Sequence, residues 1–309
     1  MSISSARWRP VTRHEPWARH ARAKQVEFSG FDGGAWVGDV AGAPGAPTVL
    51  LMHGGGQTRH AWHGTVEALA RAGWRAVAID LPGHGDSAWS PRGDYHVDKL
   101  AGEVVNLCRG LGSPLSIVGA SLGGMIGMAL VGRDDAPPVA ALALVDVGPW
   151  LESAGVDRIV NFMRAHPDGF ASLDDAARHI AAYRGRAVQA HPRGLRKNLK
   201  QNAAGRWVWH WDPRLMNDEN HSHRNDPDFL ARSLGRYAGH VALIRGGRSD
   251  VISPAGAARV CEAFPQVRFY ELAEAGHMVA GDANDIFTAS LIDFLGVAMP
   301  ATGAESATP

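Results

Sequence analysis

Apolar runs of strand length recur along the chain, and helix-length amphipathic stretches separate most of them. The runs are Gln25–Phe28, Ala35–Val40, Thr48–Met52, Arg75–Ile79, Leu115–Val118, Ala141–Val145, Val241–Ile244 and Val267–Leu272. Several are continuously apolar rather than alternating, which predicts parallel strands buried on both faces. Helices are predicted over His63–Ala72, Val97–Leu111, Leu122–Val131, Pro254–Ala263 and Ala283–Leu295. Gly73 and Gly112 stand where a helix stop is wanted, and Pro254 stands at a helix start, where a missing N–H costs nothing. Alternation of this kind predicts a doubly wound α/β sheet of eight mostly parallel strands. The first strands, with no helix between them, are predicted to form an antiparallel edge.

The alternation breaks after Val147. Residues 148–239 carry no strand signal and are rich in Arg, His, Trp and Ala, with helical periodicity near Val156–Ala165, Leu173–Arg184 and Asp228–Gly235. So long a segment cannot be a bare crossover loop and must fold on its own. It predicts a helical layer inserted between two core strands. The expected organisation is therefore a basic arm over 1–24, a core over 25–147 and 240–296, a helical cap over 148–239, and a disordered tail over 297–309.

The most informative stretch is Leu115 to Met128, where a strand runs into Gly119-Ala120-Ser121-Leu122-Gly123 and then into a helix. This is G-x-S-x-G in the strand–turn–helix context that gives it meaning. The sharp turn holds the Ser121 hydroxyl clear of the sheet, and the two glycines let strand and helix pass close together. The helix N-terminus behind Ser121 offers free N–H groups and a positive dipole end. A serine needs a base, and the base an orienting acid. Asp250 falls in a loop just past the strand Val241–Ile244, and His277 in the loop after Phe269–Leu272.

With the order Ser121, Asp250, His277, the chain resembles capped serine hydrolases of the α/β-hydrolase fold superfamily, over about Val26 to Leu295. The group includes esterases, non-haem peroxidase-like enzymes and C–C hydrolases. The resemblance implies a Ser-His-Asp triad and a cap that walls off the pocket. Thr48–Met52 running into His53-Gly54-Gly55-Gly56 matches the family's oxyanion turn. By that resemblance Leu122 supplies one oxyanion N–H and Gly55 the other, with Gly54 as second choice. Asp80-Leu81-Pro82-Gly83-His84-Gly85-Asp86-Ser87 resembles a family turn and is read as structural. Asp146, after the strand Ala141–Val145, is an alternative source of the acid. Asp282 and Asp285 are read as opening a helix.

Within the cap, Trp207, Trp209 and Trp211 recur at spacing two in Arg206–Pro213 and either line an apolar pocket or anchor the cap. His221 and His223 lack a matching carboxylate or second histidine at helical spacing, so no metal site is expected. The expected reaction is hydrolysis of a small or medium ester or lactone through an acyl-enzyme, with no cofactor. C–C bond hydrolysis of diketones and cofactor-free perhydrolysis use the same machinery. Epoxide hydrolysis would need a carboxylate at the elbow, with Tyr183 and Tyr237 as oxygen donors. A non-enzymatic ligand-binding protein on this fold need not keep all three triad members.

Composition narrows the partners. Lys+Arg and Asp+Glu are both 31, so the formal charge is zero and no nucleic-acid or membrane-surface binding is expected of the whole chain. The two cysteines, Cys108 and Cys261, fit a reducing compartment, and the expected location is cytoplasmic. No apolar run is long enough for a membrane span. The segment to Lys24 is different: Arg7, Arg9, Arg13, Arg19, Arg22 and Lys24 stand against Glu15, with Trp8 and Trp17 among them. It is read as a solvated arm that packs its tryptophans on the body, or else as a targeting peptide or basic patch.

Overall fold

The computed structural model describes residues 21–30, 33–112, 114–185, 187, 192–217, 226–277, 279 and 284–301. The first twenty residues of the arm, the tail from 302, the pair His221 and His223, and Asp282 lie outside the described residues. The strands are β1 (Lys24–Ser29), β2 (Ala35–Ala41), β3 (Thr48–Met52), β4 (Arg75–Ile79), β5 (Leu115–Ala120), β6 (Val139–Val145), β7 (Leu199–Gln201), β8 (Trp207–Trp209), β9 (His240–Gly246) and β10 (Val267–Leu272). The helices are α1 (His63–Arg71), α2 (Val97–Arg109), α3 (Leu122–Val131), α4 (Ser153–Arg164), α5 (Leu173–Arg184), α6 (Pro227–Gly235), α7 (Pro254–Ala263) and α8 (Asn284–Ala298).

Eight strands form one sheet in the order β1-β2-β4-β3-β5-β6-β9-β10. β1 pairs antiparallel with β2 and β2 antiparallel with β4, and every later pairing is parallel. The antiparallel edge and the eight core strands follow the sequence expectation. Alternation along each central strand feeds two apolar layers. Leu50 and Met52 of β3 pack with α2, α3, α6 and α7, while Val49 and Leu51 pack with α1 and α8. β3 is buried along its whole length, as a strand covered by helices on both faces must be. Among the described residues, no helix is long and apolar enough to cross a membrane.

Between β6 and β9 the chain leaves the sheet for α4, α5 and α6, as expected, but also for a two-stranded hairpin, β7–β8. The expectation of an all-helical insert is corrected there. Three residues per strand leave almost no periodicity to detect: the turn is closed locally, where the Asn202 side chain accepts from the N–H groups of Ala204 and Arg206, and the hairpin is extended by Phe170, distant in sequence, which bridges Trp207. The final helix of the segment, α6, joins the core layer instead. Leu230 and Leu234 are buried with α3, and the Ser233 backbone lies so close to Gly132 that a side chain at 132 would collide with it.

One buried charge cluster ties the antiparallel edge to the loops above the sheet. Arg59 is 4% exposed and pairs with Asp39 of β2, with Asp80 at the end of β4, and with Asp86. Asp80 is fully buried and also accepts from the N–H groups of Arg59 and Asp86. Removing one partner from such a cluster leaves an uncompensated buried charge. We expect Arg59→Met to lower unfolding free energy by about 3–5 kcal/mol, read from the urea midpoint. A loss below about 1 kcal/mol, the range of exposed pairs, would show that the cluster is solvated and not structural.

Candidate active site

The turn from β5 into α3 is built as the motif requires. Ser121 has φ 46° and ψ −114°, a conformation that L-residues other than glycine rarely hold. It is held there by bonds on both sides: its N–H donates to the Val145 carbonyl at 3.1 Å, and its carbonyl accepts from Gly124 and Met125. Gly119 and Gly123 are forced. A Cβ at 119 would strike the backbone of Gly123, and a Cβ at 123 would strike the Met52 carbonyl. Leu122 is the first residue of α3, so its N–H has no carbonyl one turn back within the helix.

The facing turn, His53 to Thr58, presents backbone toward Ser121; an ideal Cβ on Gly54 would lie 3.2 Å from the Ser121 Cβ. The Gly54 N–H donates to the Gln57 side chain at 3.0 Å, and the Gly56 N–H to His84 Nε2 at 3.1 Å. Among the described residues no acceptor is seen for the Gly55 N–H between them. The Gly54 N–H, the second choice of the sequence reading, is thus engaged by Gln57.

His277 departs from expectation in its partner. Its Nδ1 lies 2.6 Å from Asp146 Oδ2, not on Asp250. Asp146 is fully buried, sits one residue past β6 with φ 52°, and accepts further bonds from the Gly246 N–H at 2.9 Å and the Ser249 hydroxyl at 2.5 Å. Asp250 turns away and pairs with Arg158 of α4 at 2.5 Å, both groups partly exposed. The reason is local. The backbone at Asp250 packs on Gly155, and the Glu152 N–H donates to the Val251 carbonyl at 2.9 Å, so the loop faces α4 at Asp250, while its earlier residues Gly247 and Arg248 bond the Leu272 and Ala275 carbonyls at the end of β10. Both aspartates follow core strands, so position alone did not separate them. Asp285 lies in the first turn of α8, as read.

Ser121 and His277 line one cavity of about 370 Å³, together with Gly54, Gly55 and Gly56. Its far walls come from the segment between β6 and β9: Phe162, Met163, Tyr183, Trp209 and Trp211. Trp209 stacks on Trp211 with centroids 4.5 Å apart, and Phe162 on Tyr183 at 4.2 Å. Trp207 does not line the cavity and packs within the inserted segment, not onto the core. It packs beside Phe170 and Leu199, with Arg196 over its ring. Tyr237 donates to the Val139 carbonyl in the core.

Comparison with known proteins agrees with this architecture. Residues 47–283 match the alpha/beta hydrolase fold family. The chain belongs to that family. It is 32% identical over 251 residues to esterase Rv0045c of Mycobacterium tuberculosis, covering 77% of this chain and 78% of the relative. The crystal structure of that esterase superposes with a TM-score of 0.68 at 26% identity, covering 88% of this chain and 91% of the other. E-2-(acetamidomethylene)succinate hydrolase superposes with a TM-score of 0.76, covering 89% of this chain and 99% of the other; at 18% identity this bears on the fold alone. This protein is therefore an α/β-hydrolase enzyme, and its esterase relatives support esterase activity at the level of class.

Three histidines around the turn were not singled out together by sequence reasoning. His53 Nε2 accepts from the Leu81 N–H and His210 Nδ1 from the Gly85 N–H, at 2.9 and 2.8 Å. Burial lowers the pKa of His53, against the opposing pull of Asp80. Burial lowers that of His210 to about 4, helped by His53 and Lys200 and opposed by Asp80. Above pH 6.5 folded and unfolded chains both hold His210 neutral. Between 6.5 and about 4 only the unfolded chain takes the proton, so folded stability falls as pH drops through that window. We expect the wild type to lose on the order of 3 kcal/mol more than His210→Gln between pH 7 and 4, by urea denaturation. Parallel curves would place a titrating, solvated imidazole at 210.

Proposed function

We propose that this protein hydrolyses a small or medium carboxylic ester or lactone through an acyl-enzyme on Ser121. The observation that carries the reading is the pairing of a strained, cavity-facing serine with a histidine whose Nδ1 is anchored on the buried Asp146. Asp146 fixes the tautomer with the proton on Nδ1, which leaves Nε2 as the base. His277 removes the Ser121 proton as Oγ attacks the carbonyl carbon. Asp146 steadies the imidazolium that forms. The tetrahedral oxyanion is received by the N–H groups of Gly55 and Leu122. His277 then gives its proton to the leaving alcohol, and a water activated by the same ring frees the acid.

The segment above the site serves as a cap that sets substrate choice. Its last helix, α6, packs on the core layer with α3. Met163 and Trp211 lie against Gly56, where a Cβ would come within 3.2 and 3.3 Å of them, so the cap closes directly over the oxyanion turn. The stacked aromatics favour a substrate whose larger part is apolar. A cavity near 370 Å³ is at the small end of ligand pockets.

A fluorophosphonate should add once to the protein, seen by intact mass, and not to Ser121→Ala; an adduct that persists would remove Ser121 from its role. Asp146→Asn should lower kcat by roughly 10³–10⁴ on p-nitrophenyl esters, and Asp250→Asn by no more than a few fold. The reverse ranking would return the acid to Asp250. Trp209→Ala should raise KM for esters with aromatic or long acyl groups while sparing reaction with a minimal phosphonate. Remote binding area is used by the large substrate only. A uniform loss on every substrate would mean that Trp209 holds the cap together and does not line the site.

A further inference from the structure

The peptide that carries the Gly55 N–H is fixed through its carbonyl. Gly54 O accepts from the Gln57 N–H at 3.1 Å and from His53 Nδ1 at 2.8 Å. In a trans peptide the N–H points opposite to the C=O, so pinning one aims the other. The next peptide is pinned through its N–H, since Gly56 N–H donates to His84 Nε2. The third is pinned through its C=O, since His210 Nε2 lies 3.4 Å from Gly56 O. Three consecutive peptide planes are thus each held by one imidazole. The rings sit edge to face or tilted on one another, His53 to His84 at 5.0 Å and His84 to His210 at 6.0 Å.

Two of these rings belong to the core, but His210 comes from the far side of the cavity. It follows β8 directly, between the cavity-lining Trp209 and Trp211, and is 1% exposed. Its other nitrogen accepts from the Gly85 N–H, so a single ring spans the segment above the site, the 82–85 turn and the oxyanion turn. Next to it the Asp212 N–H donates to the Gly83 carbonyl at 2.8 Å, and Tyr95 donates to the Asp212 carboxylate at 2.7 Å. These neighbours dock the segment without the help of His210. Its bond to Gly56 O is then the part that reaches the oxyanion turn.

We propose that His210 is a positioning residue for the oxyanion hole, transmitting the seating of the inserted segment to the Gly55 N–H through Gly56. The proposal rests on the ester-hydrolase reading for its catalytic consequence, but not for its structural one. Its chemistry needs the neutral ring with the proton on Nε2, because Nδ1 must accept from Gly85. A protonated ring would point a second N–H at the Gly85 N–H and lose that bond. The burial that lowers its pKa to about 4 keeps the required form at neutral pH. The groups facing it are His53, His84, Asp80, Lys200 and, in the adjoining cleft, Arg59, His60, Asp86 and Arg196.

Two substitutions separate the two bonds. In His210→Gln the amide nitrogen replaces Nε2 and keeps the donor to Gly56 O. In His210→Asn the amide oxygen replaces Nδ1 and keeps only the acceptor for Gly85. We expect His210→Asn to lower kcat for a p-nitrophenyl ester by about ten- to a hundredfold, with KM within about twofold, and His210→Gln to restore most of the loss. Amide hydrogen exchange over residues 50–58 should speed up in His210→Asn and return toward wild type in His210→Gln. A ring that merely braced the fold would rank the variants by melting temperature and move KM with kcat. Wild-type kcat and wild-type exchange in His210→Asn would overturn the proposal, as would equal loss in both variants. If the wild type hydrolyses no ester, the exchange contrast alone decides whether His210 positions the turn, and the esterase reading fails separately.

Discussion

The site depends on one close approach of backbone to backbone, the end of β3 against the first turn of α3. The Gly123 N–H donates to the His53 carbonyl at 3.2 Å, and no side chain fits at Gly123 because Met52 O already occupies the space. That contact brings the turn of Gly54 and Gly55 beside the elbow of Ser121 and Leu122, whose N–H groups are those proposed for the oxyanion hole. It is rigid because β3 and β5 are parallel neighbours in the middle of a sheet buried on both faces. A hole made in this way needs no rearrangement as charge develops, and that preorganisation is the source of its effect.

From there, strain is handed along the sheet. Ser121 and Asp146 both hold positive φ without being glycine, at a cost of order 1–3 kcal/mol each. Each is fixed by the strand beside it. The Ser121 N–H bonds to Val145 O at the end of β6, and the Asp146 N–H to Ile244 O in β9. The Gly246 N–H, at the end of β9, returns a bond to the Asp146 carboxylate. Ser121 and Asp146 are therefore successive rungs of one ladder that continues past the strand ends. His277 sits against the second rung. The geometry survives its strain because three parallel strands determine it together.

This explains what was legible in the sequence and what was not. The eight core strands, the helices between them and the elbow could be read because each rests on local pattern: apolar runs, glycine stops, a turn that only glycine fits. The acid could not be settled, since Asp146 and Asp250 both follow strands and only the tertiary contact of the Asp250 loop with α4 decides between them. The β7–β8 hairpin was missed because six residues held by Phe170 and Asn202 leave no period. Trp207 could not be told from Trp209 and Trp211 by spacing, as the cavity that only the latter two line is walled by residues distant in sequence. His53 and His84 were noticed as parts of motifs, but their link to His210 spans more than 120 residues and leaves no trace in spacing.

The use of imidazole at these three places follows from the same geometry. Each ring faces a backbone N–H on one nitrogen and a backbone carbonyl on the other, and a neutral histidine offers one acceptor and one donor in fixed opposition. A lysine or arginine there would supply donors only and bring a charge into a buried cluster. A carboxylate would supply acceptors only and would oppose the negative charge that forms on the substrate. For His53 and His210 burial lowers the pKa, which favours the neutral ring that can accept from one backbone group and donate to another.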